Sequence, residues 1–189
     1  MEYRQLPKGK ESISIIGLGT ASIGAAGAKE VEAAVAMAAE NGINYFDMAS
    51  ADAAPFEAYG RALSGYRKQV YFQIHFGAEY SSGKYGWTLN LEQVKRSIDW
   101  QLKALKTDYI DFGFIHCIDE LADLEKFQAH GTLAYIQQLQ KEGVVRHIGL
   151  SSHTPKVVNH VLDMGIIDML MFSINPAYDY RHGEYAIGR

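Results

Sequence analysis

The chain has 189 residues, 18 of them basic and 22 acidic, for a formal charge of −4. Hydrophobic residues make up 48% and charged residues 21%, a balance that excludes a disordered chain held open by charge. The single cysteine, Cys117, excludes an internal disulfide, a four-cysteine zinc site and a cysteine-held iron–sulfur cluster. With a pI of about 6.0 and no basic block, no nucleic acid is expected as a partner. The stretch Met1–Lys10 lacks the apolar core of a signal peptide, and no run approaches the roughly 18 apolar residues that span a bilayer, so a cytoplasmic protein with no membrane partner is expected.

In chain order, Tyr3 to Ser14, with Lys8-Gly9-Lys10 at its centre, predicts a small β-hairpin. Strand-like runs follow at Ile13–Gly19, Ile43–Asp47, Val70–Phe76, Tyr109–His116, Arg146–Leu150 and Asp168–Ile174. Between them lie helical patterns. Leu91, Val94, Ile98, Leu102 and Leu105 step by three and four and form one apolar stripe. Asn90 with Gln93 reads as a capping box at the start of that helix. Thr154-Pro155 supplies an N-cap hydroxyl followed by a proline at the first helical position. Gly42 and Gly143 close helical patterns ahead of strands.

Strict alternation of strand and helix predicts a parallel sheet covered by helices, because parallel neighbours need a crossover. An open doubly wound sheet and a closed barrel both satisfy that rule. Gly17-Leu18-Gly19 does not complete a dinucleotide fingerprint, since the third glycine position is Ser22 and no helix starts at once. The barrel is favoured. The strand starts are about 31 residues apart, so eight units would need about 260 residues. The expected fold is therefore a (β/α)8 TIM-barrel type with about six of its eight units, a single partial domain over residues 1–189. Tyr178–Arg189 carries no terminal-helix signal and reads as a loop cut short.

Asp47, His75 and His116 each end a strand-like run, and Ser151 and Ser152 follow the fifth. In a parallel barrel the C-terminal ends of the strands share one rim, where catalysis resides. Side chains alternate along a strand, so His116 and Cys117 are expected to point to opposite faces, with Cys117 as packing filler. The loop Tyr80–Trp87 is long and aromatic; it either shapes substrate access or packs locally on the barrel mouth.

The motifs resemble the aldo-keto reductase family over nearly the whole chain. The family's G-L-G-T appears as Gly17-Leu18-Gly19-Thr20. Its F-D-T-A-x-x-Y-G with the following L-G-x-A-L helix is similar to Phe46-Asp47-Met48-Ala49 through Asp52 and then Tyr59-Gly60-Arg61-Ala62-Leu63. Its D-Y-I-D-L…H strand matches Asp108-Tyr109-Ile110-Asp111 through His116, and its G-x-S-N matches Gly149-Leu150-Ser151-Ser152. The resemblance implies reduction of a small carbonyl compound with NADP(H), the cofactor meeting Gly19, Thr20, Ser151 and Ser152. It places Asp47 at the tetrad's Asp position and His116 at its His position. Asp52 stands at the Tyr position and His75 at the Lys position. Ser152 replaces the family's Asn, and Met171 its sixth-strand Gln. The family's adenine and 2′-phosphate contacts come mainly from the last two units, so weak or no NADPH binding is expected of this chain.

Three readings follow. In the first, the chain is an oxidoreductase of altered chemistry with Asp47, Asp52, His75 and His116 as catalytic groups. His116 is then the acid or carbonyl-orienting group, and Asp47 sets the charge and tautomer of His75. In the second, the same four residues hold a divalent metal for hydrolase or lyase chemistry. In the third, the chain is an inactive fragment that needs a partner or self-associates through exposed strand edges.

Overall fold

A computed structural model of the chain describes residues 1–174. The chain opens with an antiparallel hairpin, β1 (Tyr3–Gln5) and β2 (Ser12–Ser14), in which Arg4 pairs with Ile13. The elements that follow are β3 (Leu18–Gly19), α1 (Ala28–Glu40), β4 (Tyr45–Asp47), α2 (Ala54–Ala62), and a 3-10 turn at Ser64–Tyr66. Next come β5 (Tyr71–Phe76), the short antiparallel pair β6 (Ala78–Glu79) and β7 (Gly86–Trp87), and α3 (Leu91–Ala104). The remainder is β8 (Ile110–Ile115), α4 (Leu121–Ala129), α5 (Thr132–Lys141), β9 (Val145–Ser151), α6 (Pro155–Met164) and β10 (Met169–Met171).

The main sheet runs β3-β4-β5-β8-β9-β10, and every neighbouring pair is parallel. Spatial order follows chain order throughout. A doubly wound sheet would reverse direction at a switch point, so the sequential order marks six consecutive units of a (β/α)8 barrel. The expected reading of Tyr178–Arg189 lies outside the described residues.

Local signals account for most boundaries. Asn90 caps α3, its Oδ1 accepting the Gln93 N–H at 3.1 Å, and Val94 and Ile98 bury the predicted stripe. The capping box forms by half. The Gln93 side chain accepts from the Thr88 hydroxyl, and the Asn90 N–H donates to Thr88 Oγ1 at 3.0 Å instead. Thr154 likewise starts α6 without a bond from its hydroxyl; its N–H donates to Ser152 Oγ at 3.2 Å. The long first strand expected over Ile13–Gly19 is divided. Ser14 and Asn44 exchange bonds of 2.8 and 3.1 Å between backbone N–H and side chain, and the Ser14 hydroxyl donates to Ile16 O. That knot ends the hairpin and leaves Ile15 and Ile16 exposed ahead of β3. At Gly60 a Cβ would lie 2.3 Å from the Ala104 carbonyl oxygen, so the close packing of α2 on the end of α3 requires glycine.

The strand period of two sorts side chains into two layers. Phe46 and Phe72 face the helices and pack in the large core with Val35, Ile98 and Val161. Tyr45, Tyr71, Phe112, Phe114, Met169 and Met171 form a second cluster, and Leu6 and Ile13 of the hairpin segment join it. Asp47 shares the parity of Tyr45, and Gln73 and His75 that of Tyr71. The polar residues therefore stack above the inner apolar layer, toward the C-terminal rim. At the other end, His147 lies 3.1 Å from both Glu11 Oε2 and Asp168 Oδ2, which ties the hairpin to the sheet.

Candidate active site

Asp47, His75 and His116 meet at the rim although each comes from a different strand end. His75 Nε2 lies 2.7 Å from Asp47 Oδ1, and His75 Nδ1 lies 2.9 Å from His116 Nδ1. His75 is buried and His116 nearly so. Burial, followed by the neighbouring His75 and His153, pushes the pKa of His116 down to about 3, so its ring is neutral across the physiological range. Gln73 Nε2 donates to the same Asp47 oxygen at 3.0 Å and also reaches Met171 Sδ at 3.7 Å; its carbonyl oxygen accepts from the Tyr45 hydroxyl.

The loop between β5 and α3 closes over this group. The Tyr85 hydroxyl sits 3.0 Å from His116 Nε2, and the Trp87 indole N–H donates to the His116 carbonyl at 3.0 Å. Burial and the adjacent Cys117 push the Tyr85 phenol up to about 12. A cavity of about 230 Å³ opens here, lined by Ala49, Ser50, Ala51, His75, Ala78, Tyr80, Tyr85 and His116. Its walls are mostly apolar, with the imidazoles of His75 and His116 among them, the form of a small-molecule site. A larger hollow of about 720 Å³ lies at the opposite mouth between Tyr3, Asn44 and Tyr71, and none of its lining residues is a histidine.

Asp52 is held elsewhere. Its carboxylate pairs with Lys84 on the exposed loop and is not part of the cavity wall. The four-ligand metal reading loses its geometry for that reason. Among the described residues no set of three or more His, Cys, Asp or Glu side chains is arranged to hold a metal ion. Asp52 and its neighbours instead lie against the loop. Tyr85 N–H donates to Ala51 O at 2.9 Å and Ala53 N–H to Gly83 O at 3.0 Å, so the loop is zipped to the segment around Asp52.

The expectation that His116 and Cys117 point apart is overturned. Cys117 has φ +49°, in the left-handed region, so strand alternation ends at Ile115. Its Sγ lies 3.6 Å from both ring nitrogens of His116. Burial and Asp119 hold the thiol above its ordinary pKa, which opposes a thiolate role.

The expected cofactor residues also lie on the rim. Ser152 Oγ donates to Asp119 Oδ1 at 3.1 Å and accepts the Thr154 N–H, and Ser151 stands beside the Cys117 thiol. Thr20 Oγ1 reaches Asp47 O at 3.4 Å, and Gly19 O accepts from the Tyr59 hydroxyl at 3.0 Å. A hydroxyl that has given away its hydrogen still accepts. That acceptor chemistry fits the amide N–H of a nicotinamide carboxamide, with Ser151 and Ser152 as the residues that would hold it.

Gln73 and Tyr85 are absent from the sequence-based set. The parity of Gln73 with His75 was a usable signal. Tyr85 carried only the aromatic character of the Tyr80–Trp87 loop, because it reaches the site by the fold-back of that loop.

The pattern of the aldo/keto reductase family matches residues 15–178. An uncharacterised oxidoreductase, YqkF, of Bacillus subtilis is 30% identical over 98% of this chain and 60% of its own length. L-galactose dehydrogenase of Arabidopsis thaliana is 28% identical over 90% of this chain and 56% of its own. The holo form of aldo-keto reductase AKR11C1 from Bacillus halodurans superposes with a TM-score of 0.78 at 27% identity, covering 92% of this chain and 57% of that one. The chain thus spans a little over half the length of these relatives. Motif, sequential barrel and relatives agree, and the chain belongs to the aldo/keto reductase family.

Proposed function

We propose that this chain carries the carbonyl-handling part of an NAD(P)H-dependent oxidoreductase that interconverts a small carbonyl compound and its alcohol. The observation that supports it is the unbroken line of contacts from Asp47 through His75 to His116, ending at an apolar cavity. A nicotinamide, when bound, supplies or takes the hydride at the substrate carbon. The protein's own groups manage the oxygen. His116, one of the residues lining the cavity, orients that oxygen and handles its proton, while the Asp47 carboxylate sets the charge and tautomer of His75. The buried site strengthens each of these contacts relative to water. Because one relative is named L-galactose dehydrogenase, small hydroxylated carbonyls and alcohols are the first substrates to try.

The test follows NADPH or NADH absorbance at millimolar cofactor with a panel of small aldehydes, ketones and hydroxylated analogues. Fluorescence titration of the cofactor accompanies it. Weak cofactor binding and measurable turnover are expected, with turnover abolished in His116→Ala. Unchanged turnover in that variant overturns the assignment.

A further inference from the structure

We propose that Tyr85 is the group that exchanges a proton with the substrate oxygen, and that His116 relays this proton to His75, which holds it as an imidazolium against Asp47. The inference rests on the oxidoreductase reading and deepens it at the proton-transfer step.

Hydrogen-bond polarity carries it. A carboxylate only accepts, and the Gln73 amide, 3.1 Å from His75 Nε2, gives its hydrogen to Asp47 Oδ1 at 3.0 Å, so His75 Nε2 bears the hydrogen shared with Asp47 at 2.7 Å. The Nδ1 of a neutral His75 is then a lone pair, and its partner 2.9 Å away, His116 Nδ1, must donate. That leaves His116 Nε2 bare, with the Tyr85 hydroxyl 3.0 Å away as its donor. Every hydrogen in the line points from the cavity toward Asp47. In this state His116 presents no N–H to the cavity, and the hydroxyl bonded to its Nε2 belongs to Tyr85. Tyr85 lines the cavity, and the residue as a whole is 42% exposed.

The proton account balances. In alcohol oxidation the substrate O–H bond breaks and its proton passes to Tyr85 Oη. The tyrosine's own hydrogen moves to His116 Nε2, and the hydrogen on His116 Nδ1 moves to His75 Nδ1. Tyr85 and His116 end neutral, and His75 ends as a cation beside ionised Asp47. The substrate carbon loses hydride, with its electron pair, to an oxidised nicotinamide. Reduction runs the same steps backward, ending with a proton delivered to the forming alkoxide. No side chain is left with an uncompensated charge in either direction.

Two measurements test the relay, and one needs no cofactor. In nitrogen-15 NMR of the chain alone, His116 is expected as the neutral tautomer with hydrogen on Nδ1 and a hydrogen-bonded bare Nε2. Tyr85→Phe, checked for fold by circular dichroism, should move the Nε2 resonance to that of an unbonded nitrogen. In turnover, Tyr85→Phe should lower kcat by about a hundredfold or more with KM changed little. An unmoved His116 resonance overturns the relay, and so does a kcat within a few-fold of wild type. If His116→Ala loses turnover while Tyr85→Phe keeps it, the oxidoreductase reading stands and the relay falls. If the unaltered chain turns over nothing, that reading falls, and the NMR result alone decides the hydrogen-bond line.

Discussion

His75 and His116 face each other Nδ1 to Nδ1 at 2.9 Å, though 41 residues separate them in the chain. The cause is the parallel pairing of β5 with β8, which sets His75 opposite Phe114 and brings the two strand ends level. The rings meet edge to face with centroids 4.5 Å apart. Two imidazoles in such contact share a single hydrogen between their δ nitrogens, and this fixes the tautomer of one by that of the other.

The burial of His116 makes stability depend on pH. The folded pKa of His116, about 3, lies below its ordinary 6.5, so the unfolded chain binds more protons below 6.5. The full stability is present above about 6.5 and declines as pH falls toward 3. By about pH 5 the loss is on the order of 2 kcal/mol, or roughly 4–8 °C in Tm. His116→Gln should remove most of this slope between about pH 8 and 5. Thermal melts across that range check both; a flat wild-type profile contradicts the burial argument.

Asp47→Asn keeps the size and an acceptor for His75 but removes the charge that an imidazolium would face. Turnover should fall on the order of a hundredfold or more while the melting temperature changes little. A fully active Asp47→Asn enzyme would show that no cation forms at His75 during the reaction.

Asp52 and Lys84 tie the loop that presents Tyr85. The pair is exposed, so Asp52→Ala should cost stability only about 0.2–1 kcal/mol. The loop should instead loosen, giving faster proteolytic cleavage between Tyr80 and Trp87 and a several-fold drop in kcat. Exchanging the charges, with Asp52→Lys and Lys84→Asp together, should restore much of both. Wild-type loop protection in Asp52→Ala would assign the loop's position to its backbone bonds alone.

Away from the site, fully buried Asp111 binds Arg67 and Arg146 at 2.9 Å each and accepts the Phe72 N–H at 3.0 Å. Burial raises its pKa despite the two arginines. Asp111→Ala leaves the largely buried Arg67 without its carboxylate and should destabilise the fold by about 3–5 kcal/mol in denaturant unfolding. Stability within 1 kcal/mol of wild type would mean that water replaces the carboxylate.

The sequence alone determined the order of the main-sheet strands, the barrel rather than the doubly wound sheet, and the strand-end positions of Asp47, His75 and His116. Those features are local: period, caps and strand ends are each written in a few adjacent residues. Tertiary structure decided which polar groups touch. It paired Asp52 with Lys84 instead of the imidazoles, turned Cys117 toward His116 through a left-handed residue, and swung Tyr85 onto His116. The physical reason is that strand alternation governs side-chain direction only inside a strand. Beyond its end, direction is set by backbone torsions and by long-range hydrogen bonds such as that from Tyr85 N–H to Ala51 O, which no local pattern encodes.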